Sequence, residues 1–299
     1  MTLSVSMVKE LREKSGAGMM DCKKALLETG GKIEEAIDWL RKQGLSAVAK
    51  KSSRVAAEGL IGVTVKDNQG ALIEINSETD FVARNELFQD FVKTCSDLSL
   101  TCNEDIEILK QMQYPNTGRS VDQELSNNIA TIGENMNVRR TKILKVANGV
   151  ITSYVHNSVA DGLGKLGVLV ALESNGDKDK LSSVGKQIAM HIAATSPKSL
   201  NIEDLDEDVV NRERQVLIDQ AVASGKPKEI AEKMVNGRML KYFQEVVLNE
   251  QVSVIDGETK IKDVVTNLQK DLDTEVKLVG FIFFKLGEGI EVSQNDFAA

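Results

Sequence analysis

Apolar positions along the first 44 residues fall at helical spacing in three short runs. Val5, Val8 and Leu11 make one stripe, which breaks at Ser15-Gly16-Ala17-Gly18. Cys22, Ala25 and Leu26 make a second, stopped by Gly30-Gly31. Ile33, Ala36, Ile37 and Leu40 repeat at i, i+3, i+4 and i+7, with Gly44 placed to end the helix. These runs predict a three-helix unit with a compact core of its own. The polar, basic stretch over residues 45–57, with Lys50, Lys51 and Arg54, reads as a linker.

From Gly59 the period changes from helical to two. Residues 60–65 and 71–75 are strand-like, separated by the turn Lys66-Asp67-Asn68-Gln69-Gly70. After the polar segment Ser77-Glu78-Thr79-Asp80-Phe81, an amphipathic helix carries Leu87, Phe88, Phe91, Val92, Cys95 and Leu98 on its buried face. A further helix bears Leu125, Ile129 and Ile132 and ends near Gly133, and a strand follows over residues 143–146. The layout then recurs: a strand over 150–156, a turn over 157–165, a return strand over 167–172 and a helix over 181–194. Weak in identity but parallel in order, this second copy predicts two related α+β subdomains. Residues 206–224 and a helix opened by Pro227, bearing Ile230, Met234, Leu240, Phe243 and Val247, predict an antiparallel helical hairpin about Gly225-Lys226-Pro227. A strand over 276–285 completes the second subdomain. The predicted class is α+β. Its segments are a three-helix domain and linker (1–54), a first core subdomain (55–146), a second (147–195 with 250–291), an inserted coiled-coil hairpin (196–249) and a short tail (292–299).

Composition removes several function classes. Of 299 residues, 37 are basic and 45 acidic, and only 4% are aromatic. That balance lacks the basic footprint and stacking rings of a nucleic-acid binder. No apolar run approaches the ~18 residues of a membrane span, and Met1-Thr2-Leu3-Ser4 does not open a signal peptide. Three widely spaced cysteines, Cys22, Cys95 and Cys102, form neither a disulfide framework nor a Cys-x-x-Cys zinc site, so a reduced, cytoplasmic protein is expected. Two histidines, His156 and His191, leave little material for imidazole catalysis or a metal centre and read as structural or surface residues. No catalytic residue, metal or cofactor is expected.

Gly162-Leu163-Gly164-Lys165-Leu166-Gly167 matches the G-x-G-x-x-G phosphate pattern, but a strand follows it where a dinucleotide site needs a helix. A structural hairpin turn is the expected reading, and no Walker loop occurs. The acidic run over residues 203–208 lacks calcium-loop spacing and reads as the cap of the next helix. Arg139-Arg140-Thr141-Lys142 reads as a solvated face. Thr79-Asp80-Phe81-Val82 sets an aromatic beside a carboxylate between a strand and a helix. Composition alone favours Phe81 as a satellite core residue over an exposed aromatic anchor.

At these residues the chain resembles a known family, the bacterial elongation factors Ts, exchange factors for the GTPase elongation factor Tu. The resemblance runs over nearly the whole length. It is carried by Val8-Lys9-Glu10-Leu11-Arg12 through Met19-Met20-Asp21-Cys22-Lys23-Lys24-Ala25-Leu26, by Glu34-Glu35-Ala36, and by the intact Asn76-Ser77-Glu78-Thr79-Asp80-Phe81-Val82-Ala83-Arg84-Asn85. Ile132-Gly133-Glu134-Asn135, Gly167-Val168-Leu169-Val170, His191-Ile192-Ala193-Ala194 and Gly287-Glu288-Gly289-Ile290-Glu291 match further family segments. The resemblance implies a ubiquitin-associated-like N-terminal domain gripping Tu through Lys9, Arg12, Met19 and Met20. It implies N- and C-subdomains of a core, and a protruding coiled coil. It also implies that Thr79, Asp80, Phe81 and Val82 intrude near the magnesium and phosphate site of Tu, supported by Ile132 and Gly133. Family members often continue past Asp296-Phe297-Ala298-Ala299 with a helix that touches Tu, to which no residue of this sequence corresponds. The implied partner is elongation factor Tu, GDP-bound and nucleotide-free, with self-association left open. Two other classes stand beside this reading: a general binding module or chaperone, and an enzyme using nucleotide at residues 162–167.

Overall fold

The computed structural model describes residues 4–15, 17–225 and 227–291, with the side chains of 45–50 and 228 excepted. The tail expected over 292–299 and the hairpin residue Lys226 lie outside the described residues.

Helices α1 (Val5–Ser15), α2 (Met19–Glu28) and α3 (Ile33–Lys51) enclose Leu11, Cys22, Ala25, Leu26 and Ala36, all fully buried. The expected stop at Gly44 is corrected: α3 runs on to Lys51. Residues 45–51 contain no proline and include Ala47, Ala49, Lys50 and Lys51, good helix formers. A Cβ on Gly44 would stand 3.5 Å from that of Ala130, an ordinary van der Waals contact, so the glycine faces a neighbouring helix and does not end its own.

Strands β1 (Glu58–Lys66) and β2 (Gln69–Ser77) form the first hairpin, turning at Asp67 with φ 51°. Helices α4 (Glu86–Ser99), α5 (Ile106–Gln111) and α6 (Val121–Ile132) follow, then β3 (Met136–Lys145). The second half contains β4 (Gly149–His156), a two-residue β5 (Leu163–Gly164), β6 (Leu166–Glu173) and α7 (Lys178–Thr195). The hairpin helices α8 (Glu207–Ala223) and α9 (Lys228–Val246) come next, then α10 (Ile261–Leu272) and β7 (Lys277–Lys285). The sequence reading assigns no helix at α10, although Ile261, Val265 and Leu268 repeat at i, i+4 and i+7 and are buried.

One sheet has the order β3-β2-β1-β5 and the other β4-β6-β7, antiparallel throughout. Alternation sorts the strand residues into layers. Leu60, Ile73 and Ile75 pack under α4–α6, and Val168, Val170 and Leu172 pack under α7 and α10. Ile61 and Leu72 from one sheet meet Leu169, Ala171 and Ile151 from the other in a core between the sheets. The hairpin α8–α9 has a separate small core of Leu217, Ala221, Val235 and Met239.

The two halves share details beyond strand order. In each, the return strand of the hairpin is central, and pairing with the third strand breaks register once, between Glu74 and Ile75 and between Ala171 and Leu172. The skipped residues are Arg139 and Val279, so each third strand carries a bulge at the same point. One residue beyond each break, a glycine with positive φ pairs with the central strand: Gly59 at 121° opposite Asn76 and Gly149 at 135° opposite Glu173. A Cβ on Gly59 would lie 2.2 Å from the Ile75 carbonyl oxygen, and one on Gly149 would lie 2.0 Å from that of Leu172. Only glycine fits either place.

Candidate functional site

Strand β2 ends at Ser77, and the chain must turn outward to start α4. It does so through a single 3-10 turn, Val82–Arg84, in which the N–H groups of Ala83, Arg84 and Asn85 donate to the carbonyls of Asp80, Phe81 and Val82. Asn85 then caps α4, its Oδ1 accepting from the N–H groups of Leu87 and Phe88. Gln89 reaches back past the start of α4 to donate to the Ala83 carbonyl at 2.8 Å.

Val82 and Ala83 are buried in the core under the first sheet, whereas the Phe81 ring between Asp80 and Val82 is 78% exposed. The reading of Phe81 as a satellite core residue is therefore corrected: its two C-terminal neighbours take the core positions and the ring is turned out. Its backbone, at φ −62° and ψ −35°, is unstrained. Asp80 is also exposed, and Thr79 is half-buried.

The other side of the turn is held by the connection between α6 and β3. Gly133, at φ 94°, ends α6 in the left-handed conformation and re-aims the chain. The next residue, Glu134, accepts the Thr79 N–H at 2.9 Å and the Thr79 hydroxyl at 2.6 Å. In return the Glu78 carboxylate accepts the Asn135 N–H at 2.5 Å. Arg54 stands 3.4 Å from Glu78, and its carbonyl accepts from the Asn135 side chain at 2.7 Å. Ile132 packs half-buried against the core. Thr79, Asp80, Phe81, Val82, Ile132 and Gly133 are thus brought together. Glu134 and Asn135 entered the sequence reading only within a family segment, and nothing in their spacing from Thr79 announces the contact.

Lys9, Arg12, Met19 and Met20 lie on α1 and α2, and all are exposed. Met19 and Met20 open α2, and Met20 is 72% exposed. Two adjacent exposed methionines at a helix start offer an adaptable apolar contact.

The glycine run over residues 162–167 does more than turn. Leu163 and Gly164 pair with Gly62 and Ile61, adding β5 to the first sheet, and the Val63 N–H donates to the Gly162 carbonyl. A Cβ on Gly164 would come within 2.5 Å of Val155, and one on Gly167 within 2.8 Å of Ile61. These glycines permit close approach of the chain's own strands.

The reading of Arg139 and Arg140 as a solvated face is corrected. Glu74 is fully buried in β2, and its carboxylate accepts from Arg139 at 2.9 Å, Arg140 at 2.5 Å, Asn76 at 3.0 Å and the Gly287 N–H at 2.9 Å. Arg140 also lies over the Phe284 ring at 4.3 Å. Burial pushes the Glu74 carboxyl up, but the hydrogen bonds from Asn76, Gly287 and Arg140 outweigh it and hold the group below the usual carboxylate range. His191 is buried, with Nε2 2.9 Å from Gln251 Oε1 and Nδ1 accepting the Val254 N–H. Burial pushes its imidazole below the ordinary range against the opposing hydrogen bond to Gln251. Among the described residues no group of three or more His, Cys, Asp or Glu side chains is placed to hold a metal ion. No described helix is long and apolar enough to cross a membrane.

The family model described as Elongation factor TS matches residues 78–288, beginning at the Glu78-Thr79 turn. A protein of Rhodospirillum centenum named Elongation factor Ts is 60% identical over 297 residues, covering 99% of this chain and 97% of its own length. Proteins of the same name from Paramagnetospirillum magneticum and Rhodospirillum rubrum are 56% and 55% identical, each over 99% of this chain and over 95% and 96% of their own lengths. With matches of this length and identity, the chain belongs to the elongation factor Ts family of bacterial translation factors.

Proposed function

We propose that this chain binds elongation factor Tu in its GDP-bound and nucleotide-free forms and promotes release of GDP, so that GTP can take its place. A GTPase holds GDP largely through magnesium and charge-assisted contacts to the phosphates. A partner that prefers the nucleotide-free form must, by linkage, weaken GDP by the same factor. An aromatic wedge that disturbs the magnesium site achieves this without making or breaking a bond. The observation that carries the reading is Phe81: a ring 78% exposed on a turn whose next two residues are locked in the core. Thr79, Asp80 and Phe81 form the intruding face of the Thr79–Val82 element, Val82 anchors that element in the core, and Ile132 and Gly133 support it.

On this reading α1–α3 is a ubiquitin-associated-like domain that grips Tu through Lys9, Arg12, Met19 and Met20. The two sheets with their helices act as N- and C-subdomains, and α8–α9 is the protruding coiled coil. The protein works in the cytoplasm without a cofactor or bound nucleotide of its own and without direct nucleic-acid contact.

The test is stopped-flow release of fluorescent GDP from cognate Tu. Acceleration by sub-stoichiometric amounts of the chain supports exchange. Stable association with no acceleration contradicts it and favours a plain binding module.

A further inference from the structure

The exchange reading explains why Phe81 is exposed but not what keeps its turn in place before a partner arrives. The C-terminal side is anchored by Val82 and Ala83, buried to 3% exposure each. The N-terminal side has no apolar anchor: Thr79 is half-buried and Asp80 exposed. What holds it is a carboxylate. Glu134 accepts both the N–H and the hydroxyl of Thr79, at 2.9 and 2.6 Å. The tie is reciprocal, since Glu78 accepts the Asn135 N–H at 2.5 Å. Each connection therefore supplies a glutamate to the backbone of the other. The Ser77 hydroxyl, donating to the Thr79 carbonyl at 3.0 Å, closes the turn from within.

We propose that Glu134, with Glu78 as its reciprocal tie, is a positioning residue for nucleotide exchange. It holds Thr79-Asp80-Phe81-Val82 in the presenting geometry before Tu is engaged. The inference rests on the exchange reading. A wedge held in place loses little conformational freedom when it reaches the magnesium site, whereas a free one must be ordered at that moment. Hydrogen bonds to a carboxylate are the strong kind. Their loss falls on the step in which the wedge acts, while the initial grip is made elsewhere.

The test uses the full chain with Glu134→Ala, Glu134→Gln, Thr79→Val, the Glu134→Ala/Thr79→Val double variant, and Phe81→Ala as reference. Four quantities are read: the maximal rate of fluorescent GDP release from Tu, the half-saturating concentration, amide hydrogen exchange of residues 78–83, and thermal unfolding. We expect Glu134→Ala to lower the maximal rate about 10- to 100-fold, as for loss of charge-assisted hydrogen bonds. Half-saturation should move by less than about threefold, and amide exchange should quicken over residues 78–83 alone. Glu134→Gln keeps one acceptor oxygen and should fall between. Thr79→Val should slow release by itself and add nothing in the Glu134→Ala background, because the hydroxyl's acceptor is already gone. A normal maximal rate in Glu134→Ala while Phe81→Ala is slow overturns the positioning role and leaves the wedge standing. Multiplying rather than shared effects of Glu134→Ala and Thr79→Val, or quickened amide exchange across the whole chain, overturns it as well. A normal rate in Phe81→Ala overturns the exchange reading itself.

Discussion

At the scale of single residues, the decisive facts concern which side chains the fold turns in and which it turns out. Glu74 is the charged side chain of β2, a strand buried on both faces, and its carboxylate is fully buried between Ile73 and Ile75. Removing one partner of such a cluster strands buried charge, so Glu74→Ala should cost about 3–5 kcal/mol in urea unfolding. Its carboxyl is held below its unfolded value of about 4.3. The stability it contributes is therefore full above that pH and is lost as pH falls through the depressed folded value. His191 acts in a higher window. Its folded pKa is lowered from an ordinary value of 6.5, so protonation favours the unfolded chain. Unfolding free energy should decline as pH drops below about 6.5, and His191→Gln should flatten that decline in denaturant titrations between pH 7 and pH 5. The sequence showed Glu74 as a charge within an apolar run, but its arginine partners lie 65 and 66 residues away and no local pattern names them. The outward turn of Phe81 was hidden for a related reason. Phe81, Val82 and Ala83 are all apolar, and only the 3-10 turn decides which of them reaches the core.

At the scale of elements, periodicity made most of the fold legible. The hairpins, the long amphipathic α4, the pair α8–α9 and the repeated order all follow from periods of 2 and 3.6. Besides the unassigned α10, two misreadings came from glycine, which signals a helix stop, a close approach and a strained turn with one letter. Gly44 was read as a stop and is a helix contact; the run over 162–167 was read as a turn and also supplies an extra strand. These roles give opposite mutational signs. In α9, Gly237 has no heavy atom within 4 Å of an added Cβ, so Gly237→Ala should stabilise by about 0.5–1 kcal/mol. Gly149→Ala should destabilise by at least about 2 kcal/mol, since the methyl would meet a backbone oxygen at a positive φ. Thermal unfolding of the two variants side by side checks both signs. Calorimetry with GDP, GTP and NAD should show no saturable binding at the 162–167 loop, whose glycines are occupied by the chain's own strands. Binding that disappears in Gly164→Ala would contradict this.

At the scale of the whole molecule, the three-helix unit has a core of its own and meets the rest through α3 and the segment after it. Lys51 donates to the Ile129 carbonyl at 3.4 Å, and Arg54 faces Glu78. Removing residues 1–54 should therefore weaken Tu binding while the remaining sheets and helices stay folded by circular dichroism. Cooperative loss of the remaining structure would show that the unit is not separable. Affinity on this account resides largely in one part of the chain and displacement in another, and Phe81 carries the second. The most direct measurement compares Phe81→Ala with the parent chain in two assays, chemical unfolding and stopped-flow release of fluorescent GDP from Tu. A ring 78% exposed contributes little packing, so unfolding should change by less than about 0.5 kcal/mol. Loss of an aromatic anchor of about 2–4 kcal/mol should slow release by roughly 30- to 1,000-fold. A Phe81→Ala chain that melts early yet releases GDP at the parent rate while folded would contradict the account.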